Sequence, residues 1–350
     1  MRLGGQQQSG GTDSTNYQAG RDIVRTGVSA SEAREIALDV YHSNFLTLRG
    51  IAEEIAADRA ERLTREFLDR LQSENARRLS SMQDPDMLSV VFAAQEGFAR
   101  SGEADLEVAL VDLLVDRAGQ QERNLKTLVL NEAIQMIPKL TSVQRKALAV
   151  FFVFRDTSVG ELDTIDAHYA RIARWTPLFE IESLKRADLQ YLQTAGAGSI
   201  INLSSVPLGT ALANNYRGFY TTGFAIDDSV PDDLRRLTHD RELFIPCLRD
   251  SDKLQINAVS SREVAELAGR KSIEADLLES FASVGVMRTP EIEAELIERI
   301  PEAAVPVERW QRCGLAAFES AAAGVAIGHA YWSQVVPADA SAPLDVWLSD

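Results

Sequence analysis

The sequence predicts a mainly α fold: a multi-helix domain built around a long amphipathic N-terminal helix, then a mostly helical C-terminal part with at most a short strand or two. Three observations lead there. Across residues 30–79 apolar side chains return at Ile36, Val40, Phe45, Leu48, Ile55, Leu63, Phe67 and Leu71, mostly three, four or seven apart, the spacing of one helical face. The other face carries charged pairs at i, i+4, such as Glu61 with Arg65 and Glu66 with Arg70. Residues 147–154 are apolar nearly all round, as expected of a buried central helix.

One unbroken helix over 30–79 would run roughly 75 Å, and Gly50 marks a break near its middle. Its apolar steps drift between three, four and five, whereas a coiled-coil seam holds a strict heptad. The stretch 36–71 is therefore expected to dock against residues 88–154 of its own chain. Asp84 and Pro85 form a helix start, with Asp84 as N-cap and Pro85 in the first turn, and Gly102 closes that helix in a left-handed conformation. The leucine-rich pattern from Leu106 to Ile137 reads as helix with a joint near Gly119 and an end at Pro138. Thr141 and Gln144 form a capping box for the central helix, which runs to about Arg155.

Further helices are predicted over 160–175, 184–195, 208–220 and 232–244, with Gly196–Ser199 as a turn between helices and a short strand over 253–259. Ser260 and Glu263 cap a helix to about Ala268, Ser272 opens another, and Thr289-Pro290-Glu291 starts a third. That spacing suggests a winged-helix-like unit, but without a basic recognition helix for DNA readout. A last helix is expected from about Val307 to Val336, rich in Ala and Gly, in which Gly324 and Gly328 allow close approach of a second backbone. It is read as tight core packing, with a segment that inserts into a membrane after assembly as the alternative. The resulting division is a leader (1–28), a helical domain (29–156) and a helical C-terminal domain (157–350).

Composition narrows function by exclusion. The apolar fraction of 45% and charged fraction of 25% suit a packed globular protein. A net charge of −16 and no block of Lys and Arg argue against nucleic acid as a partner. Cys247 and Cys313 form neither a disulfide framework nor a zinc cluster, which fits the cytoplasm. His42, His168, His239 and His329 are isolated from one another, and His329 reads as a satisfied core histidine. There is no Gly-x-Ser-x-Gly elbow, and Gly196-Ala197-Gly198-Ser199 lacks the features of a phosphate loop. No catalytic, cofactor-binding or metal residue is nominated, and no cofactor is expected.

Residues 1–28 are rich in Gly, Gln, Ser, Thr and Asn. Within them Asn16, Gln18 and Gly20 give an Asn-x-Gln-x-Gly pattern that resembles the core of amyloid-type signalling motifs in necroptosis proteins and in some fungal and bacterial immune receptors. Tyr17 and Ala19 replace that family's branched apolar residues, and Arg21 and Asp22 follow directly. The resemblance implies self-stacking through Asn and Gln ladders; a disordered or loosely docked tail is the competing reading. The segment STNYQAGRDI, together with the helix over 45–71, Ala104-Asp105-Leu106, Asn124-Leu125, Val129-Leu130-Asn131-Glu132 and Pro138-Lys139-Leu140-Thr141, also resembles a family of uncharacterised bacterial proteins. That resemblance covers the N-terminal half, fades after Arg155, and implies helical architecture without a reaction.

The sequence reading is thus a non-enzymatic interaction or assembly protein, an adaptor or effector in a bacterial conflict or defence system, with a protein partner or a second copy of itself. The interaction residues would be Asn16, Gln18 and Gly20 in the leader and Gly324 and Gly328 in the last helix. The alternatives are a membrane-acting effector using that last helix, and an enzyme whose site is assembled from scattered residues.

Overall fold

A computed structural model of the chain describes residues 30–45, 51–158, 161–201, 205–226, 232–336 and 342–348. Asn16, Gln18 and Gly20 lie outside these residues. The described chain is mainly α, with two short antiparallel strand pairs among its described residues.

The N-terminal stretch forms two helices, α1 (Ala30–Phe45) and α2 (Ile51–Asn75). Helix α2 rises about 38 Å, yet α1 touches the 3-10 stretch Ala76–Gln83 at the far end of α2 as well as α2 itself. The two helices therefore fold back on each other, which corrects the single 75 Å rod. Ala33 and Ala37 are fully buried, and their small side chains permit this close approach. Helix α2 docks on its own chain as expected, burying Leu63, Phe67 and Leu71 against α3 (Pro85–Ser101) and α4 (Ala104–Ala118). Ile55 departs from the expected apolar face and is 48% exposed. The polar pair inside this interface is satisfied: Gln95 Nε2 donates to Thr64 Oγ1 at 2.8 Å, and that hydroxyl donates to Ala60 O at 2.7 Å.

Local signals set the next boundaries. The Asp84 side chain accepts from Asp86 N at 3.0 Å, and Gly102 closes α3 at φ +65°. Chain direction changes at Gly119 between α4 and α5 (Leu125–Met136), and Pro138 sits in the 3-10 turn that ends α5. The capping box of Thr141 and Gln144 opens α6 (Ser142–Phe151), which widens into a π-helical turn over Phe152–Asp156. Every side chain from Ala147 to Phe154 is buried.

The chain continues through α7 (Ile165–Ala173), α8 (Arg186–Ala195), β1 (Gly198–Ile200) and α9 (Leu208–Asn215). Then come α10 (Asp232–Arg236), a hairpin of β2 (Phe244–Pro246) and β3 (Leu254–Ile256), α11 (Ser261–Lys271), α12 (Ala275–Ala282) and α13 (Thr289–Arg299). The last elements are α14 (Ala304–Arg312), β4 (Phe318–Ser320) and α15 (Ala322–Ser333).

Three sequence expectations change here. The predicted helix over 232–244 is only the five residues of α10, followed by turn and strand. Gly196 does cap α8, at φ +87°, but the residues after it form β1 instead of a turn. The single last helix is broken: Gly314, at φ +93°, stops it, and Phe318–Ser320 pair antiparallel with β1, placing Ser320 opposite Gly198. A Cβ on Gly198 would lie 2.4 Å from Glu319 O, so the two strands approach at a position that admits no side chain.

One apolar core runs from Ala33 to Leu344 and includes side chains from both sides of residues 156–157. A smaller one gathers α11, α12 and the β2–β3 hairpin around Phe244, Leu267 and Leu278. At the centre of the large core α15 lies along α6 and also touches α4 and α5. A Cβ on Gly328 would stand 2.8 Å from Leu148 O and from Phe152 Cβ, and one on Gly324 2.0 Å from Ala197 O. Both glycines thus bring backbones together inside this chain. No helix among the described residues is long and apolar enough to cross a membrane.

Candidate functional site: a polar cleft between α2, α4 and α15

Helix α4 is apolar along most of its length, and burial of Leu110, Leu113 and Leu114 fixes its rotation. That rotation carries Asp112 and Asp116, one turn apart, into a cleft of about 580 Å³. Arg70 and Glu74 of α2 enter the same cleft, as do Lys126 of α5 and His329 of α15.

Asp112 is held from two sides: Arg70 Nη1 lies 2.6 Å from Oδ1, and Gln334 Nε2 donates to Oδ2 at 3.1 Å. Burial outweighs these contacts and pushes its carboxyl up to about 6. Arg70 also pairs with Glu74 at 3.0 Å, and Lys126 Nζ pairs with Asp345 at 2.7 Å. Asp116 differs. Its backbone carbonyl accepts from Gln120 Nε2 at 3.2 Å, but no hydrogen bond ties its carboxyl group to another described side chain. Burial raises its acidity constant, against the opposing pull of His329 and Lys126.

His329 Nε2 lies 2.8 Å from Ala342 O and so carries the proton it donates there, which leaves Nδ1 with its lone pair. Burial lowers the imidazole below its usual range. The ring is wedged among Trp347, Trp332 and Phe152, with centroids 5.2, 5.7 and 5.8 Å away, so its orientation is fixed by packing. The cleft therefore combines two carboxyl groups shifted toward neutrality with a neutral imidazole, a set able to give and take a proton near pH 7.

The other buried titratable groups are sealed in the core. His168 is pushed down to about 3 by burial; its Nε2 lies 3.1 Å from Tyr220 OH and its ring stacks on Phe219 at 4.2 Å. Asp156, at the end of the π-helical turn, is pushed up to about 7 by burial. Among the described residues no group of three or more His, Cys, Asp or Glu side chains is placed to hold a metal ion.

Of the nominated interaction residues, Gly324 and Gly328 are buried on α15, where Gly328 immediately precedes His329. His329 is buried as expected, with Nε2 satisfied, and it also faces the cleft. Sequence reasoning missed Arg70, Asp112, Asp116 and Lys126. One signal was available: two aspartates at i, i+4 within the otherwise apolar run from Leu106 to Val115.

Fold and cleft together define an all-helical protein with a mixed-charge site on one side of its main core. A family model whose description carries no activity matches residues 27–348, and the chain belongs to that uncharacterised family. The match extends well past Arg155, where the sequence resemblance was expected to fade, and begins after the STNYQAGRDI segment. Neither a curated protein nor a solved structure matches the chain.

Proposed function

We propose that the protein acts through the cleft between α2, α4 and α15, as a small-molecule site whose carboxyl groups and imidazole exchange a proton with the ligand. One observation carries this reading: Asp112 and Asp116, both raised by burial, share an open cleft with the neutral His329. This corresponds to a site assembled from scattered residues. A ligand-observed NMR screen of polar metabolites tests it, comparing the full chain with Asp116→Asn. Binders lost in the variant are expected; no binders, or binders indifferent to the substitution, would sink the reading.

A second reading, a non-enzymatic interaction or assembly role in a bacterial conflict or defence system, is favoured by a different feature. Leu125 and Leu128 stand 59% and 44% exposed on either side of Lys126 on α5, and Val346 is 48% exposed next to Asp345, the partner of Lys126. Large apolar side chains grouped in solvent suit a protein partner or a second copy. Light scattering on the full chain, on a chain lacking residues 1–28, and on Leu125→Ser/Leu128→Ser separates the contributions. A monomer at every concentration in all three would remove self-association.

A further inference from the structure

We infer that the cleft selects a small organic cation, an alkylammonium, held by the Asp116 carboxylate. The inference rests on the cleft being the functional site and names its ligand class. It follows from which hydrogen-bonding groups the protein has already used. The Arg70 guanidinium is bound by Asp112 and Glu74, and the Lys126 ammonium by Asp345. The Gln334 amide donates to Asp112, Ser333 Oγ donates to Ala330 O at 2.9 Å, and His329 Nε2 donates to Ala342 O.

What remains is the Asp116 carboxylate and the lone pair on His329 Nδ1, and both are acceptors. A ligand completing this site must bring donors. An ammonium group brings only donors, together with the charge that offsets the desolvation of a buried carboxylate. Val108, Val115 and Leu344 supply an apolar wall beside these groups, suited to an alkyl chain. An anion fares worse. A phosphate or carboxylate would have to pull Arg70 from two carboxylates or Lys126 from one, while facing Glu74, Asp112 and Asp116.

The cation binds ionised Asp116, so binding below the titration of that group displaces a proton, and affinity rises with pH through that titration.

The test uses the full chain with carboxyl carbons labelled, titrated in turn with n-butylammonium, n-pentanol, butyrate and inorganic phosphate. Butylammonium is expected to shift the Asp116 carboxyl resonance, while the neutral and anionic probes leave it in place. Asp116→Asn is expected to weaken butylammonium at least about tenfold, the loss of one charge-assisted hydrogen bond. Should that variant fail to fold, the pH profile of butylammonium binding to the unaltered chain decides: affinity rising between pH 4 and 8 supports the inference and a flat profile overturns it. Phosphate or butyrate binding in place of butylammonium also overturns it. If all probes are silent while Asp112 and Asp116 still titrate high, the cation assignment falls and the cleft reading stands. If both carboxyls titrate near their ordinary value, the cleft reading falls with it.

Discussion

Arg145 and Tyr331, 186 positions apart in sequence, meet inside the core, where Arg145 Nε donates to Tyr331 OH at 2.7 Å. The phenol passes its own proton on to Asp105 Oδ2 at 2.9 Å, and Arg145 Nη2 reaches the same oxygen at 3.1 Å. Glu103 and Leu140 O take the remaining guanidinium protons. The Arg145 side chain is fully buried, so each donor depends on these partners alone. Burial by itself would raise Asp105, but hydrogen bonds from Ser142, Arg145 and Tyr331 hold it below the usual carboxylate range.

Tyr331→Phe removes one acceptor from a guanidinium that cannot turn to water. A loss of about 1–3 kcal/mol is expected in urea denaturation, from the buried donor left without a partner. Arg145→Lys should cost at least as much, because an ammonium on a flexible stem cannot span Tyr331, Leu140 O and Asp105 together.

Gly324→Ala and Gly328→Ala should each lower the melting temperature, since the added methyl group meets the Ala197 carbonyl in one case and Leu148 and Phe152 in the other. Overpacking of this kind costs about 1–3 kcal/mol, more where backbone must shift. Gly269→Ala in α11 is the control: nothing lies within 4 Å of the new Cβ, and a gain of roughly 0.5–1 kcal/mol is expected.

Asp156 links stability to pH. Its folded carboxyl is raised to about 7, above the value of about 4 in an unfolded chain. The folded state then holds the proton more tightly. The contribution is fully present below pH 4 and is lost as pH rises to 7, a swing on the order of 4 kcal/mol. Asp156→Asn should flatten this slope and stabilise the protein at pH 8, read from urea midpoints across pH 4–8. An unchanged slope would place the pH dependence elsewhere.

Arg70→Gln should raise the Asp112 carboxyl further, because Arg70 is the charge that opposes the effect of burial there. A carbon-detected titration of labelled aspartates reads the shift directly. A downward movement would mean that the ion pair of Arg70 and Asp112 does not persist in solution.

Much of the helical order is written locally. Asp84 with Pro85, Gly102, Thr141 with Gln144, and Ser260 with Glu263 act on backbone groups within a few residues, and each sets its boundary in the structure where the sequence places it. The misreadings involve distant partners. Residues 313–321 have the composition of a helix, but the pairing of Phe318–Ser320 with Gly198–Ile200 overrides that preference. The fold-back of α1 depends on contacts at the far end of α2, and periodicity within either helix carries no trace of it. The cleft is non-local in the same way. Asp112 meets Gln334 across 222 positions, and His329 meets Ala342 only through the path of the chain after α15. Two aspartates at helical spacing in an apolar run are visible in the sequence; the histidine opposite them is not.

The seat of α15 against α6 has a consequence for biosynthesis. Helix α6 leaves the ribosome some 180 residues before the helix that covers it. At about 5–20 residues per second, that interval is roughly 10–40 s. During it, the surface reserved for α15 faces the cytosol or a chaperone. The nascent chain must keep its own centre open until almost its last helix arrives.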